Sequence, residues 1–338
     1  MNILLTSAGR RTYLVDYFKE ALCMAGLTGL VHAANSENSP AFLAADRQVV
    51  TPLIYDPEYI PFLLDYCRKW EIELLVPLFD IDLPVLSRNK KAFSEQGTRV
   101  VAAEPAAIEI CNDKWKTCKA LQAEGILTPE SWLDREAAIW AVKEGQAFYP
   151  LILKPRWGMG SLSVYQADDE EELRVFYGKI CREIQGSYLK YEAAQQKEGC
   201  VLIQEKITGR EFGMDVVNDL RGTCRAVVVK EKANMRAGET DAAITISSPE
   251  LEQTGRHLSK LLGHPGNLDV DILESGGQYY VLELNGRFGG GYPFSHAAGL
   301  HLPYALVMWA SGREPEEKAL KAQAGVRAMK DIQILVQQ

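Results

Sequence analysis

The sequence lacks the features that mark three broad classes of protein. No apolar stretch approaches the ~18 residues of a membrane-spanning helix. No basic run is longer than two residues and the formal net charge is −8, which argues against nucleic acid as the main partner. The seven cysteines are scattered and form no C-x-x-C pair, so neither a zinc cluster nor a thioredoxin-like motif is expected.

The cysteines and the N-terminus together predict a cellular compartment. Scattered cysteines suit a reducing compartment. Residues 1–5 are largely apolar and precede Arg10 and Arg11, whereas a signal peptide carries its basic residues ahead of its apolar region. We therefore expect a cytoplasmic, soluble protein. Its 338 residues, 47% of them hydrophobic, are enough for about two domains with sizeable cores.

The first hundred residues alternate between strand-like and helix-like segments. Short apolar runs lie at residues 3–5, 30–33, 72–77 and 100–102, and apolar residues recur at helical spacing between them. Strands that alternate with helices are typical of βαβ crossovers and a parallel sheet. The pattern predicts an open parallel α/β domain over residues 1–112.

The pattern changes beyond this domain. Asp113 stands where it can cap a helix, and strand-like runs dominate after that helix. Strong helical patterns interrupt them at residues 168–183 and 249–262, and a final hairpin is predicted for residues 267–285. This order indicates α+β structure with antiparallel pairing.

The first candidate site is a glycine-rich connection between two strand-like runs. Lys154 ends one run, and Gly158, Gly160 and Ser161 precede the next. Glycines allow backbone N–H groups to approach a phosphate closely, and a lysine supplies positive charge. The lysine precedes the glycines and a strand follows them, unlike in a Walker loop. The alternative is an ordinary glycine-rich β-hairpin.

The second candidate site is the polar end of another strand-like run. Glu205, Lys206 and Ile207 precede a Thr-Gly turn, and Glu211 follows it. Such a connection can offer backbone groups to an adenine edge and carboxylates to ribose hydroxyls. The alternative is a charged turn between two paired strands.

The third candidate site is the acidic hairpin. Glu283, Asn285 and Arg287 alternate with apolar residues, so their side chains leave one face of the strand. With Asp271 across the hairpin, they supply hard oxygen ligands suited to Mg²⁺ bound together with phosphates. The alternative is that residues 285–286 form a turn and that Glu283 is a solvated strand residue.

The register of this hairpin decides whether its carboxylates meet. A two-residue Gly-Gly turn pairs Val270 with Glu283 and sends Asp271 to the opposite face. A loop of three or five residues instead places Asp271 on the face of Glu283 and Asn285. We therefore predict an odd-numbered loop.

Taken together, these segments resemble one family, the ATP-grasp ligases. The resemblance extends from the N-terminal α/β unit to the glycine-rich loop near Gly291, and it depends on the order and spacing of the motifs. Lys114 at a helix start precedes the strand lysine. The twelve-residue step from Asp271 to Glu283 is similar to the paired metal carboxylates of the family.

The resemblance implies a fold and a division into domains. It implies a pre-ATP-grasp α/β domain at residues 1–112, followed by an ATP-grasp fold of two α+β subdomains. These are a small lid subdomain at residues 113–210 and a catalytic subdomain at residues 211–338. Residues 157–162 are the expected lid loop.

The resemblance also implies roles for individual residues. Residues expected to bind ATP are Lys114, Lys154, Gly158, Gly160, Ser161, Glu205, Lys206, Ile207 and Glu211. Residues expected to bind two Mg²⁺ ions are Asp271, Glu283 and Asn285. Arg287 would stabilise the transferring phosphoryl group, and Lys154 would assist it.

The acceptor site is marked by fewer residues. Arg236, in a loop between strands, is a third catalytic candidate because a guanidinium can clamp a substrate carboxylate bidentately. The alternative is a surface arginine beside Glu239 and Asp241. Ser295 and His296 follow a run of three glycines and are candidates for lining the substrate pocket, although packing explains such a histidine equally well.

The implied activity is that of an ADP-forming ligase. A small, amino-acid-like carboxylate would attack the γ-phosphate of ATP to give an acyl-phosphate, and an amine or a thiol would displace phosphate. The expected partners are small-molecule carboxylate and amine substrates, with a possible homodimer and with neither nucleic acid nor membrane.

Two alternatives for the function stay open, and a third is disfavoured. Residues 6–11 and 236–240 are similar to short proteins that resemble half of a carbamoyl-phosphate synthase large subunit, which makes bicarbonate or carbamate an alternative substrate. Amino-acid ligases share the same layout. A nucleotide-binding regulatory protein without turnover is a second alternative. A dinucleotide-dependent oxidoreductase is disfavoured, because residues 7–12 lack two of the three fingerprint glycines.

Overall fold

The computed structural model describes residues 1–158, 160, 162–194, 199–236 and 238–336, and these residues form three β-sheets with flanking helices. The strands are β1 Asn2–Thr6, β2 Val31–Asn35, β3 Arg47–Val50, β4 Ile72–Pro77, β5 Arg99–Val100, β6 Ser131–Trp132, β7 Leu151–Pro155, β8 Tyr165–Ala167, β9 Val201–Glu205, β10 Arg210–Asn218, β11 Cys224–Arg236, β12 Glu239–Ile246, β13 Gly266–Ser275, β14 Gln278–Asn285 and β15 Arg327–Met329.

The helices connect these strands and cover the sheets. They are α1 Thr12–Met24, α2 Pro40–Ala44, α3 Tyr59–Lys69, α4 Asp82–Ser94, α5 Pro105–Asn112, α6 Lys114–Ala123, α7 Arg135–Lys143, α8 Glu170–Gln185, α9 Lys190–Ala193, α10 Pro249–Leu262, α11 Tyr292–Ala297 and α12 Leu302–Ala310. A 3₁₀ turn spans Glu317–Leu320. Within the described ranges, none of these helices has the length and apolar character needed to cross a bilayer.

The first sheet has five parallel strands in the order β3-β2-β1-β4-β5, which confirms the predicted parallel α/β unit. The sequence interpretation missed β3. Its residues Arg47, Gln48 and Val50 are exposed, because β3 is an edge strand, and it therefore carries no apolar run.

The other two sheets are antiparallel, which confirms the predicted α+β structure. The larger has six strands in the order β14-β13-β10-β11-β12-β15, and the smaller has four in the order β6-β9-β7-β8. We call the smaller sheet with α7, α8 and α9 the small unit, and the two larger sheets with their helices the body.

Two aspartates set the starts of predicted helices. Asp113 accepts hydrogen bonds from the backbone N–H groups of Trp115 and Lys116 at 3.1 and 3.3 Å, which confirms the predicted cap of α6. Asp169 accepts one from the backbone N–H of Glu172 at 2.9 Å. Because this cap precedes the first turn, α8 begins two residues later than predicted.

The hydrophobic cores divide the chain into the same two parts. Side chains of the five-stranded and six-stranded sheets share clusters, as Phe18 of α1 meets Phe288 after β14 at 6.2 Å between ring centroids. The small unit has its own cluster, which includes Leu153, Leu173 and Ile203. Burial of each such side chain stabilises its unit by about 1.5–3 kcal/mol.

The turn of the acidic hairpin differs from the prediction. Ser275 pairs with Gln278, so the turn consists of two glycines, Gly276 and Gly277, and the predicted odd-numbered loop is wrong. Both glycines have positive φ, 59° and 79°, as a type I′ turn requires. Two glycines adopt this conformation without the steric strain that side chains would bring.

A β-bulge nevertheless brings the acidic residues to one face. Ile272 pairs with Val281, but the next residue, Asp271, pairs with Glu283, so Leu282 is the extra residue on β14. The bulge shifts the register by one and reverses the parity that the two-residue turn imposes. The prediction that Asp271 and Glu283 lie on one face is thus confirmed. A β-bulge, and not an odd-numbered loop, brings them there.

Candidate active site

The predicted site residues Lys114 and Glu283 form an ion pair at the seam between the small unit and the body, and Lys154 lies near enough to interact electrostatically with both. Lys114 opens α6, Lys154 lies on β7 and Glu283 lies on β14. The Lys114 Nζ forms an ion pair with Glu283 Oε1 at 3.1 Å and donates a hydrogen bond to the backbone carbonyl of Gly158. One ammonium group therefore links the glycine-rich loop to the acidic hairpin.

The charges at this seam alter the protonation of one another. Burial, together with the charge of Lys114, lowers the pKa of Lys154. Burial also disfavours ionisation of Glu283, but Lys114 and Lys154 hold the pKa of its carboxyl below its usual value. Two ammonium groups and one carboxylate leave an excess of positive charge, which suits a polyanion such as a triphosphate.

The glycine-rich loop follows β7 directly. Gly158 and Gly160 have φ angles of 101° and 66°, a conformation that favours glycine. A Cβ atom at Gly158 would lie 3.2 Å from the Leu189 side chain, so the loop also packs tightly against the segment before α9. Ser161, the remaining predicted loop residue, lies outside the described residues, as does part of the expected lid loop 157–162.

The acidic hairpin presents Asp271, Glu283 and Asn285 on one face. Asp271 and Glu283 are cross-strand partners, a pairing in which Cβ atoms lie about 4.5–5.5 Å apart. Lys232 of β11 forms an ion pair with Asp271 at 2.6 Å. Among the described residues no three Asp, Glu, His or Cys side chains form a metal site by themselves. Two carboxylates completed by the Asn285 oxygen nevertheless form the hard donor set that fits Mg²⁺.

Asp269 is a further carboxylate on this face, and the sequence interpretation missed it. It is the cross-strand partner of Asn285, whose Nδ2 donates to Asp269 Oδ2 at 3.5 Å. Burial and then the charge of Asp271 raise the pKa of Asp269 to about 7, against the opposing effect of Arg287. The alternation of Asp269 with Asp271 could have identified it from the sequence.

Arg287 is held between carboxylates from distant parts of the chain. Its Nε and Nη2 donate to Asp80 Oδ2 at 3.0 and 2.8 Å, and its Nη1 donates to Asp269 Oδ2 at 3.3 Å. Burial disfavours the charged form, but Asp80 and Asp269 raise the pKa of Arg287, so the guanidinium stays charged. Asp80 lies 207 positions from Arg287, so no local pattern could have predicted this pair.

The predicted adenine-binding residues lie where β9 leaves the small unit for the body. The Glu205 backbone N–H donates to the Glu130 carbonyl at 2.9 Å, and Lys206 Nζ donates to Gln166 Oε1 at 2.7 Å. Ile207, the next residue, is partly buried. The strand end lies beside β7, which carries the predicted phosphate-binding lysine.

The predicted ribose-binding residue, Glu211, is connected to the acidic hairpin by a lysine. Glu211 is an exposed residue of β10, and its Oε2 lies 4.0 Å from Lys232 Nζ. The same ammonium pairs with Asp271, which raises the pKa of Lys232 although burial lowers it. Lys232 carries no motif that would have marked it in the sequence.

Arg236 lies at the end of β11, on the surface. Its side chain is 54% exposed, and its Nη2 donates to Asp241 Oδ1 at 2.6 Å. This is the surface pairing that the sequence interpretation weighed as its alternative, and no described contact joins Arg236 to the acidic hairpin. His296 is packed, with its ring stacked on Tyr17 at 3.6 Å.

Comparisons with known protein families match two parts of the chain. Residues 3–101 match the family described as PylC-like, N-terminal domain. Residues 111–291, more than half of the chain, match the family described as ATP-grasp domain. The second match spans every metal-binding candidate and all the nucleotide-binding candidates.

The similar curated proteins are much longer than this chain. The carbamoyl phosphate synthase large chain of Clostridium beijerinckii is 22% identical over 271 residues, which cover 76% of this chain and 24% of that protein. The chain spans about a quarter of the length of the first curated relatives it matches.

Solved structures show the same fold at low sequence identity. The biotin carboxylase domain of the Hydrogenobacter thermophilus 2-oxoglutarate carboxylase, solved as a dimer with MgADP and bicarbonate, has a TM-score of 0.72 and 17% identity, over 93% of this chain and 70% of that chain. An L-amino acid ligase from Bacillus licheniformis has a TM-score of 0.62 and 20% identity, over 96% and 75% of the two chains.

Proposed function

Because the chain belongs to the ATP-grasp family, whose members are ATP-dependent ligases that release ADP, we propose that it uses ATP and Mg²⁺ to join a small-molecule carboxylate to an amine. The observation that carries this proposal is the meeting of Lys114, Lys154 and Glu283 at the seam. Cations from two separately packed parts of the chain face one carboxylate there, which is an arrangement suited to a metal-bound triphosphate.

The nucleotide would lie along the seam. Lys114 and Lys154 would contact its phosphates, with Gly158, Gly160 and Ser161 covering them. The backbone at residues 205–207 would border the adenine, and Glu211 would bind the ribose. The proximity of Glu211 to the Lys232–Asp271 pair supports this direction of binding, because a ribose bound by Glu211 would lie beside the acidic hairpin.

The family uses ATP with Mg²⁺, and the solved carboxylase neighbour contains MgADP. In this chain Asp271, Glu283 and Asn285 are the residues that would hold Mg²⁺, and we propose that they bind two ions. Bound Mg²⁺ would neutralise phosphate charge during transfer. Before the metal binds, Lys232 and Lys114 balance the charge of the two carboxylates.

The proposed reaction has two steps. A carboxylate oxygen attacks the γ-phosphorus, the bond to the β–γ bridging oxygen breaks, and ADP leaves. The amine nitrogen then attacks the acyl carbon, the C–O bond to phosphate breaks, and phosphate and one proton are released. Arg287 would stabilise the negative charge in both steps, since Asp80 and Asp269 hold its guanidinium in place.

The identity of the carboxylate has two candidates. An amino-acid-like carboxylate is the first, supported by the fold of the L-amino acid ligase. Bicarbonate or carbamate is the second, supported by the similarity to carbamoyl phosphate synthase. We further propose a cytoplasmic homodimer, with domains at residues 1–112, 113–210 and 211–338. The first helix of the second of these domains, α6, packs on the body against α5 and β14.

The test is a calorimetric titration with a non-hydrolysable ATP analogue, with and without Mg²⁺. We expect Mg²⁺ to tighten binding in the wild type, and Glu283→Ala to weaken Mg²⁺-dependent binding at least about tenfold, since even outer-shell changes cost 10–100-fold in metal affinity. Glu314→Ala is the matched control, because Glu314 pairs with Arg225 on the surface of the body.

Three outcomes would contradict the proposal or one of its parts. Absence of binding by the folded wild type would remove the nucleotide site. Binding without ADP release across a panel of carboxylates and amines would favour the regulatory alternative. Full ligase activity in Glu283→Ala would show that the metal assignment is wrong.

A further inference from the structure

Arg156 is a charged side chain that lies almost completely buried at the seam. It directly follows β7 and is only 1% exposed. Its Nε donates a hydrogen bond to Asp113 Oδ1 at 2.8 Å, and its Nη2 lies 2.8 Å from Asp113 Oδ2. The carboxylate that caps α6 is therefore held at two points by one planar guanidinium.

The backbone of Arg156 makes one further contact on each side of the seam. Its N–H donates to the carbonyl of Cys200, beside β9 of the small unit, at 2.9 Å. Its carbonyl accepts a hydrogen bond from the Lys114 N–H at 3.1 Å. Because Lys114 is the first residue of α6, this N–H has no partner inside the helix. Arg156 thus joins the end of β7 to the start of α6 through both its side chain and its backbone.

The two proposed phosphate-binding lysines are neighbours of this pair in the chain. Lys114 directly follows Asp113, and Lys154 lies two residues before Arg156. The lysines are close enough for the charge of Lys114 to lower the pKa of Lys154. Their ammonium groups therefore repel each other when no phosphate lies between them. An ion pair beside them counteracts this repulsion and limits how far the two lysines can separate.

We propose that Asp113 and Arg156 are positioning residues, which fix the spacing of Lys114 and Lys154 for the phosphates of the nucleotide. The inference rests on the proposed function, in which both lysines contact phosphates. It adds two residues that contact no phosphate themselves. Ammonium groups that are held at the required separation before the nucleotide arrives need no ordering when it binds, and this favours polyphosphate ligands.

Arg156 acts through the lysines because its own guanidinium is occupied. Nε and Nη2 face Asp113, Nη1 donates to the Gly199 carbonyl at 3.5 Å, and the guanidinium carbon lies 5.0 Å from the centre of the Trp157 ring. Stability alone is a weaker explanation for the pair, because well-packed apolar residues often stabilise a core as much as a buried ion pair does. A pair that spans two separately packed units is instead suited to setting their relative position.

The first test needs no nucleotide. In Asp113→Asn the amide oxygen still caps α6, because Asn is as good an N-cap as Asp, but the charge that pairs with Arg156 is lost. Asp134→Asn is the matched control, since the exposed Asp134 caps α7 by accepting from the Ala137 N–H at 2.7 Å. We expect hydrogen exchange at the Lys114 amide to become at least about tenfold faster in Asp113→Asn and to stay unchanged in the control.

The second test compares ligands with and without phosphates. The full chain is titrated calorimetrically with the non-hydrolysable ATP analogue and with adenosine, with Mg²⁺ present throughout. We expect Asp113→Asn to weaken binding of the analogue at least about tenfold, because small displacements of positioning groups have effects of this size, and to leave binding of adenosine unchanged. Arg156→Lys keeps the positive charge but loses the planar fork, so it is expected to show the same pattern.

A double-variant cycle shows whether Asp113 acts through Lys154. In Lys154→Ala one of the two ammonium groups is absent, so their spacing no longer matters. We therefore expect Asp113→Asn to weaken binding of the analogue by no more than about threefold in that background. Equal effects of Asp113→Asn in the two backgrounds would show that the pair acts independently of Lys154, which would overturn the proposal.

Three further results would overturn it: unchanged exchange of the Lys114 amide in Asp113→Asn, equal weakening of adenosine and analogue binding, or wild-type affinity for the analogue in Arg156→Lys. If Asp113→Asn does not fold, Arg156→Lys serves for both measurements, since it keeps both charges of the pair. Absence of analogue binding by the wild type would contradict the proposed function, whereas normal binding by the wild type with any of these results would contradict only the positioning role.

Discussion

The small unit and the body are packed in different ways. In the body the five-stranded and six-stranded sheets share hydrophobic clusters, to which α1, α10 and α12 all contribute. The small unit keeps a separate cluster built from its own strands and from α7 and α8. Two sheets that share a core cannot move apart cheaply, whereas a unit with its own core can shift as a rigid piece.

This difference explains why the site lies at the seam. Lys114 belongs to the body and Lys154 to the small unit, yet both act on Glu283. A site at the boundary of an independently packed unit can open for a nucleotide and close again without disturbing either core.

The sharpest test of the separate cores is a pair of truncations. Leu153→Ala in the small unit and Leu284→Ala in the body each remove a fully buried leucine, and each is expected to destabilise its own core by about 2–5 kcal/mol. Hydrogen exchange should accelerate only in the small unit for Leu153→Ala, and across both larger sheets for Leu284→Ala. Faster exchange throughout the chain in Leu153→Ala would mean that the cores are coupled.

Acid should weaken the body through a buried histidine. His264 Nε2 donates to the Val216 carbonyl at 3.0 Å, and burial lowers the pKa of His264 to about 4. The unfolded chain binds this proton below about pH 6.5, so stability is fully present above that pH and is lost as pH falls toward 4. We expect a loss of roughly 2 to 3 kcal/mol between pH 7 and pH 4.5.

The measurement is denaturant unfolding of the body at the two pH values, with His264→Gln as the neutral control. The variant should lose less stability on acidification than the wild type. The small unit should not show this effect, because the sequence has no histidine between His32 and His257. Equal pH dependence in both proteins would exclude His264 as the cause.

Removal of Lys154 tests the contribution of the small unit to nucleotide binding. We expect Lys154→Ala to weaken binding of the ATP analogue by ~1.5–3 kcal/mol, the scale of a hydrogen bond to a charged group. Lys179→Ala is the control, because Lys179 lies on α8 of the same unit, where it pairs with Glu183 at 3.9 Å and lies over the Tyr165 ring. Calorimetric titration measures both, and unchanged affinity in Lys154→Ala would exclude it from the phosphate site.

The smallest expected effect comes from the contact that closes the small unit over the first sheet. Tyr55 stacks on Tyr191 of α9 at 4.5 Å, and its hydroxyl donates to Glu192. Tyr55→Phe keeps the stacking and should cost about 0.5–1.5 kcal/mol. Hydrogen exchange at α9 should then accelerate, whereas Tyr280→Phe, on the exposed hairpin, should leave it unchanged.

The acidic hairpin shows how far local pattern carries a prediction. Alternation correctly predicted that Glu283 and Asn285 share a face, and the composition of the loop correctly indicated a turn. Counting residues around the turn gave the wrong loop length, because the bulge at Leu282 leaves no mark in the alternation. Asp269 follows the same alternation on β13, and the sequence interpretation did not single it out.

The strands of the first sheet show which strands a sequence pattern can predict and which it cannot. Buried strands such as β1 and β4 were predicted because burial on both faces demands apolar runs. The edge strand β3 was missed because exposed backbone pairing imposes little on its side chains. Burial constrains which residue types a strand can contain, whereas backbone pairing at the edge of a sheet does not.

The amino-acid sequence was sufficient to predict the fold class, the family and most of the candidate site. Strand alternation, glycine-rich connections and the spacing of Lys154, Asp271 and Glu283 are local properties of the chain, and the sequence therefore shows them directly. The partners of those residues were decided by tertiary structure. Asp80 reaches Arg287 across 207 positions, and Asn112 of α5 donates a hydrogen bond to the Asp80 backbone carbonyl at 2.7 Å. Only packing of the sheets brings such charges together, because a side chain is constrained by its neighbours in space, and these are far apart along the chain.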